Sequence, residues 1–317
     1  MNTNDIDILV SEVGPRDGLQ MAGDIMPTEY KKKWIDLAVE AGLREIEVCS
    51  FVPPKVVPAM ADATEVTEYA AAIKGLNVAV LAPNLRGAEN AMKAGANKIT
   101  VPLSVSVSHN RANVNKTPQE SIEEIRKMCE LRDTLPADAR PEIECGLSTV
   151  FGCTIEGEIP ERDILELSVA AVEAGADEVG LADTTGMANP ASIRRIFKAV
   201  RAEIGADKLG GAHLHNTRGL GIANALAALD VDVTTIDASM GGLGGCPFAP
   251  GASGNIVTED LVFMLEEMGL KTGIDLEKLL KIRDIIRTAL PEEPLYGFIS
   301  QVGLQKGGQK VERIAVA

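Results

Sequence analysis

Apolar positions recur along the chain in two alternating rhythms. An amphipathic stretch ends in a glycine, a short polar bend follows, and a β-branched apolar run comes next. The copies include Ala38-Val39-Glu40-Ala41-Gly42 before Glu45-Ile46-Glu47-Val48, Ala91 to Gly95 before Lys98-Ile99-Thr100-Val101, and Ala171 to Gly175 before Glu178-Val179-Gly180-Leu181. Glycine just past a helical segment is a C-cap signal, and the run after it reads as a buried strand. The rhythm predicts strands near 7–13, 44–50, 77–83, 98–106, 141–148, 178–184, 210–216 and 234–240, with helices between successive pairs. Eight such units within about 270 residues predict an α/β fold closed as a (β/α)8 TIM barrel rather than left as an open sheet. Residues 258–269 read as the last barrel helix and 276–290 as a C-terminal helix. No linker-like shift in composition divides the chain, so residues 1–317 are expected to form one catalytic domain that includes a C-terminal helical extension from about 270.

Composition narrows the class. The 317 residues are 45% hydrophobic, enough for a large core. The 46 acidic against 31 basic residues leave a formal charge of −15, which argues against nucleic acid and against anionic membranes as partners. Any phosphate on a substrate must therefore meet a local basic patch. No apolar run approaches a membrane span, and Met1 to Asp7 is polar and acidic where a signal or transit peptide would be basic, so a cytoplasmic protein is expected. The five cysteines, Cys49, Cys129, Cys145, Cys153 and Cys246, show neither a disulfide framework nor zinc-knuckle spacing, and free thiols are expected.

A barrel gathers the C-terminal ends of its strands and the loops after them on one face. There the pattern places Glu12, Arg16, Asp17 and Gln20 after the first strand, Glu47 in the second, Asp183 at the end of the sixth, His213 and His215 in the seventh, and Cys246 and Asn255 after the eighth. The chain has three histidines, and two share one strand face at an i, i+2 spacing. Two imidazoles with Asp17 and the Asn255 amide oxygen form a mixed N/O set suited to Mg²⁺ or Mn²⁺ with open positions, and less suited to zinc. The competing reading is a pair of hydrogen-bonded core histidines. Between Gly241 and Asn255, six glycines and two prolines surround Cys246. Such a loop suits a backbone that approaches a ligand closely, although a plain surface connection has the same composition.

Glu12-Val13-Gly14-Pro15-Arg16-Asp17-Gly18-Leu19-Gln20, His213-Leu214-His215 and the Cys246 loop through Asn255 resemble the 3-hydroxy-3-methylglutaryl-CoA lyase family. The likeness extends to Ser50-Phe51-Val52-Pro53-Pro54-Lys55, Pro83-Asn84-Leu85, Gly152-Cys153 and Thr258-Glu259-Asp260-Leu261, and so spans nearly the whole chain. The resemblance implies a divalent cation held by Asp17, His213, His215 and Asn255, with Arg16 at the thioester oxygen and Glu47 orienting Arg16 or a ligand. It implies retro-Claisen cleavage of an acyl-CoA thioester, with Asp17 as proton acceptor and Cys246 as acid. Residues 108–116, among them Asn113, are implied to lie near the coenzyme A arm. A homodimer or higher homo-oligomer is expected.

Two departures stand out. The family usually continues His-x-His with Asp-Thr-Tyr-Gly, whereas this chain reads Asn216-Thr217-Arg218-Gly219, and Gly146 stands where the family usually has tyrosine. Arg218 and Gly146 are thus expected, with Gln20, Asn113 and Asp183, to shape substrate binding. Three readings follow: cleavage of 3-hydroxy-3-methylglutaryl-CoA to acetyl-CoA and acetoacetate; the same chemistry on citramalyl-CoA or on a glutaryl-CoA with a larger 3-substituent; and a non-catalytic acyl-CoA-binding barrel.

Overall fold

A computed structural model of the protein describes residues 5–244 and 254–304. Eight parallel strands close on themselves in chain order: β1 (Leu9–Glu12), β2 (Glu45–Ser50), β3 (Asn77–Leu81), β4 (Lys98–Ser104), β5 (Glu142–Ser148), β6 (Glu178–Asp183), β7 (Leu209–Leu214) and β8 (Thr235–Ala238), with β8 pairing back to β1. Helices occupy every crossover, as the (β/α)8 reading requires. The α-helix-to-strand punctuation is the expected one: Gly42, Gly95 and Gly175 take φ of 101°, 87° and 104°, a left-handed turn that costs other residues a Cβ clash. After β8, the last barrel helix runs Thr258–Glu267, and the expected C-terminal helix is two short ones, Leu276–Leu280 and Ile282–Ala289.

The strands alternate rather than being apolar throughout. On β4, Ile99, Val101 and Leu103 join the core between sheet and helices, whereas Lys98, Thr100 and Pro102 line a central cavity. On β2, Ile46 and Val48 face the helices, while Glu45 and Glu47 face the cavity. The apolar layer outside, with Trp34, Ile35, Ile125, Met128 and Phe197 from the helices, is the core proper. Parallel strands in barrels usually carry bulky apolar residues on both faces. Here the inner face mixes Leu81 and Pro102 with charged and small residues, Glu45, Glu47, Lys98, Thr100 and Asp237 among them.

The expected strand bounds agree with the observed ones to within two residues at each end. The clearest correction concerns His215: regular pairing of β7 ends at Leu214, and His215 instead bridges antiparallel to Asn255. Cys49, Cys129, Cys145 and Cys153 are buried free thiols, and burial pushes those of Cys49, Cys129 and Cys145 up, as expected of inert packing residues. Cys246 lies outside the described residues.

Candidate active site

Asp17 and Arg16 sit in a wide helical turn, Gly14–Gly18, that follows β1 directly. The turn is fixed from beneath by Glu12, whose fully buried carboxylate accepts from Gly14 N at 3.0 Å, Met240 N at 2.9 Å and Thr258 Oγ1 at 2.6 Å. One side chain therefore ties the β1 turn to the loop after β8 and to the last barrel helix. Burial pushes its carboxyl up to about 8 against the pull of those three donors.

Three donor atoms converge above it. His213 Nε2 and His215 Nε2 lie 3.1 Å apart, and they stand 4.0 and 3.9 Å from Asp17 Oδ2. His213 Nδ1 lies 3.0 Å from Asp237 Oδ2, which holds the ring with Nε2 toward Asp17. Asn255 Nδ2 donates to Asp17 Oδ2 at 2.6 Å and to Leu243 O at 3.1 Å. Its Oδ1 is buried without a partner. Two facing imidazole nitrogens and a carboxylate oxygen are the donor set of a cation site, and the neighbouring Asn255 Oδ1 is a buried oxygen still lacking the partner such groups normally find. The residues fit a divalent ion, and Asp17, His213 and His215 form a potential ligand cluster among the described residues.

Electrostatics agrees with that donor set. Burial works to raise the Asp17 carboxyl, but Arg16, both imidazoles and the Asn255 amide outweigh it and hold Asp17 at about 2. Burial and the neighbouring His213 push His215 down to about 4, so its imidazole is neutral and able to donate a lone pair. Arg16 lies between two acids, donating from Nε to Glu47 Oε2 at 2.6 Å and from Nη1 to Asp17 Oδ1 at 2.7 Å. Burial pushes Glu47 up to about 7 although Arg16 opposes it, and its Oε1 has no partner.

A cavity of about 510 Å³ opens at this point, within the range of small-molecule sites. Arg16, Asp17, Gln20, Glu47, Asn113, Gly146, His213 and His215 all line it. Gln20 Oε1 accepts weakly from Ser50 Oγ at 3.4 Å. Asn113 is on the helix Val107–Val114, which Asn110 anchors by accepting from Ser104 N and donating to Lys116 O and Ser121 Oγ, each at 2.9 Å.

Asp183 and Arg218 are not brought to the cavity. Asp183 Oδ1 accepts from Met187 N and Ala188 N, and Arg218 Nη1 donates to the carbonyls of Thr185 and Gly186 at 2.8 and 2.9 Å. Both shape the turn after β6. Gly244 and Gly254, which flank Cys246 in sequence, pack together beside the donor set: a Cβ at Gly244 would meet Asn255 Nδ2 at 2.8 Å and Asp17 Oδ2 at 3.0 Å, and one at Gly254 would overlap Gly244 O. Asp237 escaped the sequence reading because a single acid in an apolar strand has no signature until β7 lies beside it. Its i, i+2 relation to Thr235 was the available signal.

The HMGL-like family model matches residues 7–286. The chain belongs to the HMGL-like family. The hydroxymethylglutaryl-CoA lyase of Bacillus subtilis is 42% identical over 297 residues, covering 92% of this chain and 98% of that protein. The mitochondrial hydroxymethylglutaryl-CoA lyase of Mus musculus is 40% identical over 290 residues, covering 92% and 88%. A solved HMG-CoA lyase from Acinetobacter baumannii, in complex with coenzyme A and 3-methylmalate, superposes with a TM-score of 0.89 at 38% identity and covers 98% of this chain and all of that one. Members of the HMGL-like family are divalent-metal-dependent in general, which agrees with the open donor set.

Proposed function

We propose that this HMGL-like protein is a metal-dependent carbon–carbon lyase that cleaves 3-hydroxy-3-methylglutaryl-CoA to acetyl-CoA and acetoacetate. The convergence of Asp17, His213 and His215 beside Arg16 carries the reading, with Asn255 hydrogen-bonded to Asp17 and its Oδ1 left without a partner, and relatives near 40% identity bearing the lyase name support it. Mg²⁺ or Mn²⁺ held by those four residues would supply positive charge that acidifies the substrate hydroxyl.

The chain's own groups then divide the work. Asp17 Oδ2 receives the C3 hydroxyl proton. A carboxylate held at about 2 is a weak base, so it serves only for an alcohol that is already acidified. As the C2–C3 bond breaks, its electron pair moves to the thioester carbonyl, C3 becomes the ketone of acetoacetate, and the Arg16 guanidinium faces the charge that develops on the enolate oxygen. Glu47, through its bond to Arg16 Nε, fixes that guanidinium. The enolate carbon takes a proton to become acetyl-CoA, and we assign that proton to Cys246. The packing of Gly244 and Gly254 beside Asp17 supports the assignment, since the segment bearing the thiol starts and ends at the reacting centre.

Gln20, Asn113 and Gly146 form the proposed walls for the acyl group and the start of the coenzyme A arm, and Lys116, ion-paired with Glu124 at 3.0 Å, lines the same side. Asp183 and Arg218 are proposed to act on substrate only through the turn after β6. Assembly as a homodimer or larger homo-oligomer in the cytoplasm completes the proposal. The exposed Tyr296, Phe298 and Val302 support a partner surface, and no helix among the described residues is long and apolar enough to cross a membrane.

The deciding experiment assays acetyl-CoA release from the methylglutaryl thioester after chelation, then after adding back Mg²⁺ or Mn²⁺. Activity should vanish and return, and full activity in a metal-free preparation would end the reading. Cys246→Ala should bind substrate and melt within a few degrees of the wild type while losing turnover. A near-wild-type kcat would remove Cys246 from the mechanism.

A further inference from the structure

The residues after the last barrel helix have no task in the proposed chemistry, yet they are tied to the cation site. Arg283, on the helix Ile282–Ala289, is 3% exposed, and Glu259, on the last barrel helix, is fully buried. Arg283 Nη1 donates to Glu259 Oε1 at 2.5 Å and to Tyr296 O at 2.8 Å. Burying an ion pair carries a desolvation cost that mutual attraction offsets only when further hydrogen bonds are made. Those bonds converge on one backbone unit. Glu259 Oε2 accepts from Gly241 N at 3.0 Å, and Tyr296 N donates to Gly241 O at 2.7 Å. Gly241 is thus held at both its N–H and its carbonyl.

Packing acts on the same place. A Cβ at Gly241 would meet Leu295 Cδ2 at 2.8 Å, so the Leu295 side chain lies directly on that glycine. Gly241 and Gly242 take φ of 64° and 66°, a left-handed pair that only glycine adopts readily and that leaves the chain many alternatives unless contacts select one. The segment 293–299 is itself fixed at both ends. Glu293 Oε2 accepts from Gly23 N, and the Asp260 carboxylate accepts from Phe298 N and Ile299 N, each at 3.0 Å. It forms a strap across the chain that follows β8.

Two residues beyond Gly241, that chain meets the donors. Leu243 O accepts from Asn255 Nδ2 at 3.1 Å, and Asp17 Oδ2 accepts from the same nitrogen at 2.6 Å. Together they occupy both amide protons and so decide which end of the Asn255 side chain carries the free oxygen. The Asn255 backbone is held separately, by its bridge to His215 and by Ile256 N, which donates to Leu214 O at 3.1 Å. The strap therefore bears on the Leu243 carbonyl rather than on the Asn255 main chain. We propose that Arg283 is a positioning residue for the cation site: through Glu259 and Gly241 it holds the Leu243 carbonyl where it keeps the Asn255 amide oxygen turned out for a divalent ion. This rests on the cation-site reading above.

Arg283→Met keeps a long apolar stem and removes the charge. Calorimetric titration of the apo protein with Mn²⁺, well below the melting transition, should show Kd raised about tenfold or more, the size expected when a group that orients a metal ligand is lost. Cleavage of the methylglutaryl thioester should fall at low Mn²⁺ and return to within about threefold of wild type at saturating Mn²⁺, because Arg283 touches no reacting atom. Leu295→Ala, which removes the packing on Gly241 and keeps the buried pair, should raise Kd by a smaller factor, and it carries the test if the methionine variant does not fold. Were Arg283 only an anchor for the C-terminal segment, the variants would melt lower and bind Mn²⁺ as the wild type does; that result overturns the proposal. A loss of turnover that saturating Mn²⁺ does not restore overturns it too. A wild type that binds Mn²⁺ and cleaves no methylglutaryl thioester would end the lyase reading, while a raised Kd in the variants would still support the role of Arg283.

Discussion

The mouth and the floor of this barrel both bury charge, and they leave it in different states. At the floor, Lys98 reaches Glu178 and Glu144, Thr100 donates to Glu144, and Asn77 donates to Glu45 at 2.7 Å. None of these residues has a buried polar atom without a partner. At the mouth, Glu47 Oε1 and Asn255 Oδ1 lack partners, and two imidazole nitrogens face one another. Satisfied buried charge closes a structure, whereas unsatisfied buried charge is held ready for something that arrives. The comparison separates the two ends by what each should lose on mutation.

The largest effect belongs to the mouth. His213→Ala removes one donor and the ring that Asp237 orients, so metal affinity and turnover should fall together, turnover by about 10³-fold or more. The melting temperature of the apo protein should hold within a few degrees, because the ring is only a donor there. Calorimetric titration with Mn²⁺ alongside kcat checks this. A large loss of stability with metal affinity unchanged would make His213 a structural residue like those of the floor.

The floor should behave in the opposite way. Lys98→Met leaves Glu144 and Glu178 buried without their cation, and removing one partner of a buried pair costs about 3–5 kcal/mol. Urea unfolding should show a lower midpoint at constant slope. A midpoint equal to the wild type would show that the carboxylates find other partners, and the contrast between the two ends would fail.

Much of this organisation was legible in the chain, for identifiable reasons. Gly42, Gly95 and Gly175 mark helix ends through a backbone requirement that acts locally, so the αβ repeat could be counted without coordinates. His213 and His215 stood out because a scarce residue type recurs at strand spacing. The lining of the axis did not stand out, since Thr100, Gly146, Gly180, Gly211 and Thr235 come from five strands and meet only when the sheet closes. Arg218 misled for a related reason. A new arginine beside a histidine strand looks like a charge for the site, but backbone direction after His215 was not readable, and the carbonyls of Thr185 and Gly186 take its guanidinium.

Arg218 also gives the smallest expected effect. Its residue is exposed and its two bonds end on backbone carbonyls of the turn after β6, the turn that Asp183 secures from within through Met187 N and Ala188 N. Arg218→Gln should therefore cost about 1 kcal/mol, the net worth of a partly exposed hydrogen bond, because the Asp183 contacts hold the turn without it. Turnover should not move: kcat/KM for the methylglutaryl thioester should stay within about twofold of wild type, since the guanidinium lies outside the cavity. Measuring it beside the Gly146→Tyr variant sets a residue inside the cavity against one outside it. A loss in the Arg218 variant as large as in the Gly146 variant would mean that the turn after β6 moves onto the substrate during the reaction, and that the rim as well as the lining meets it.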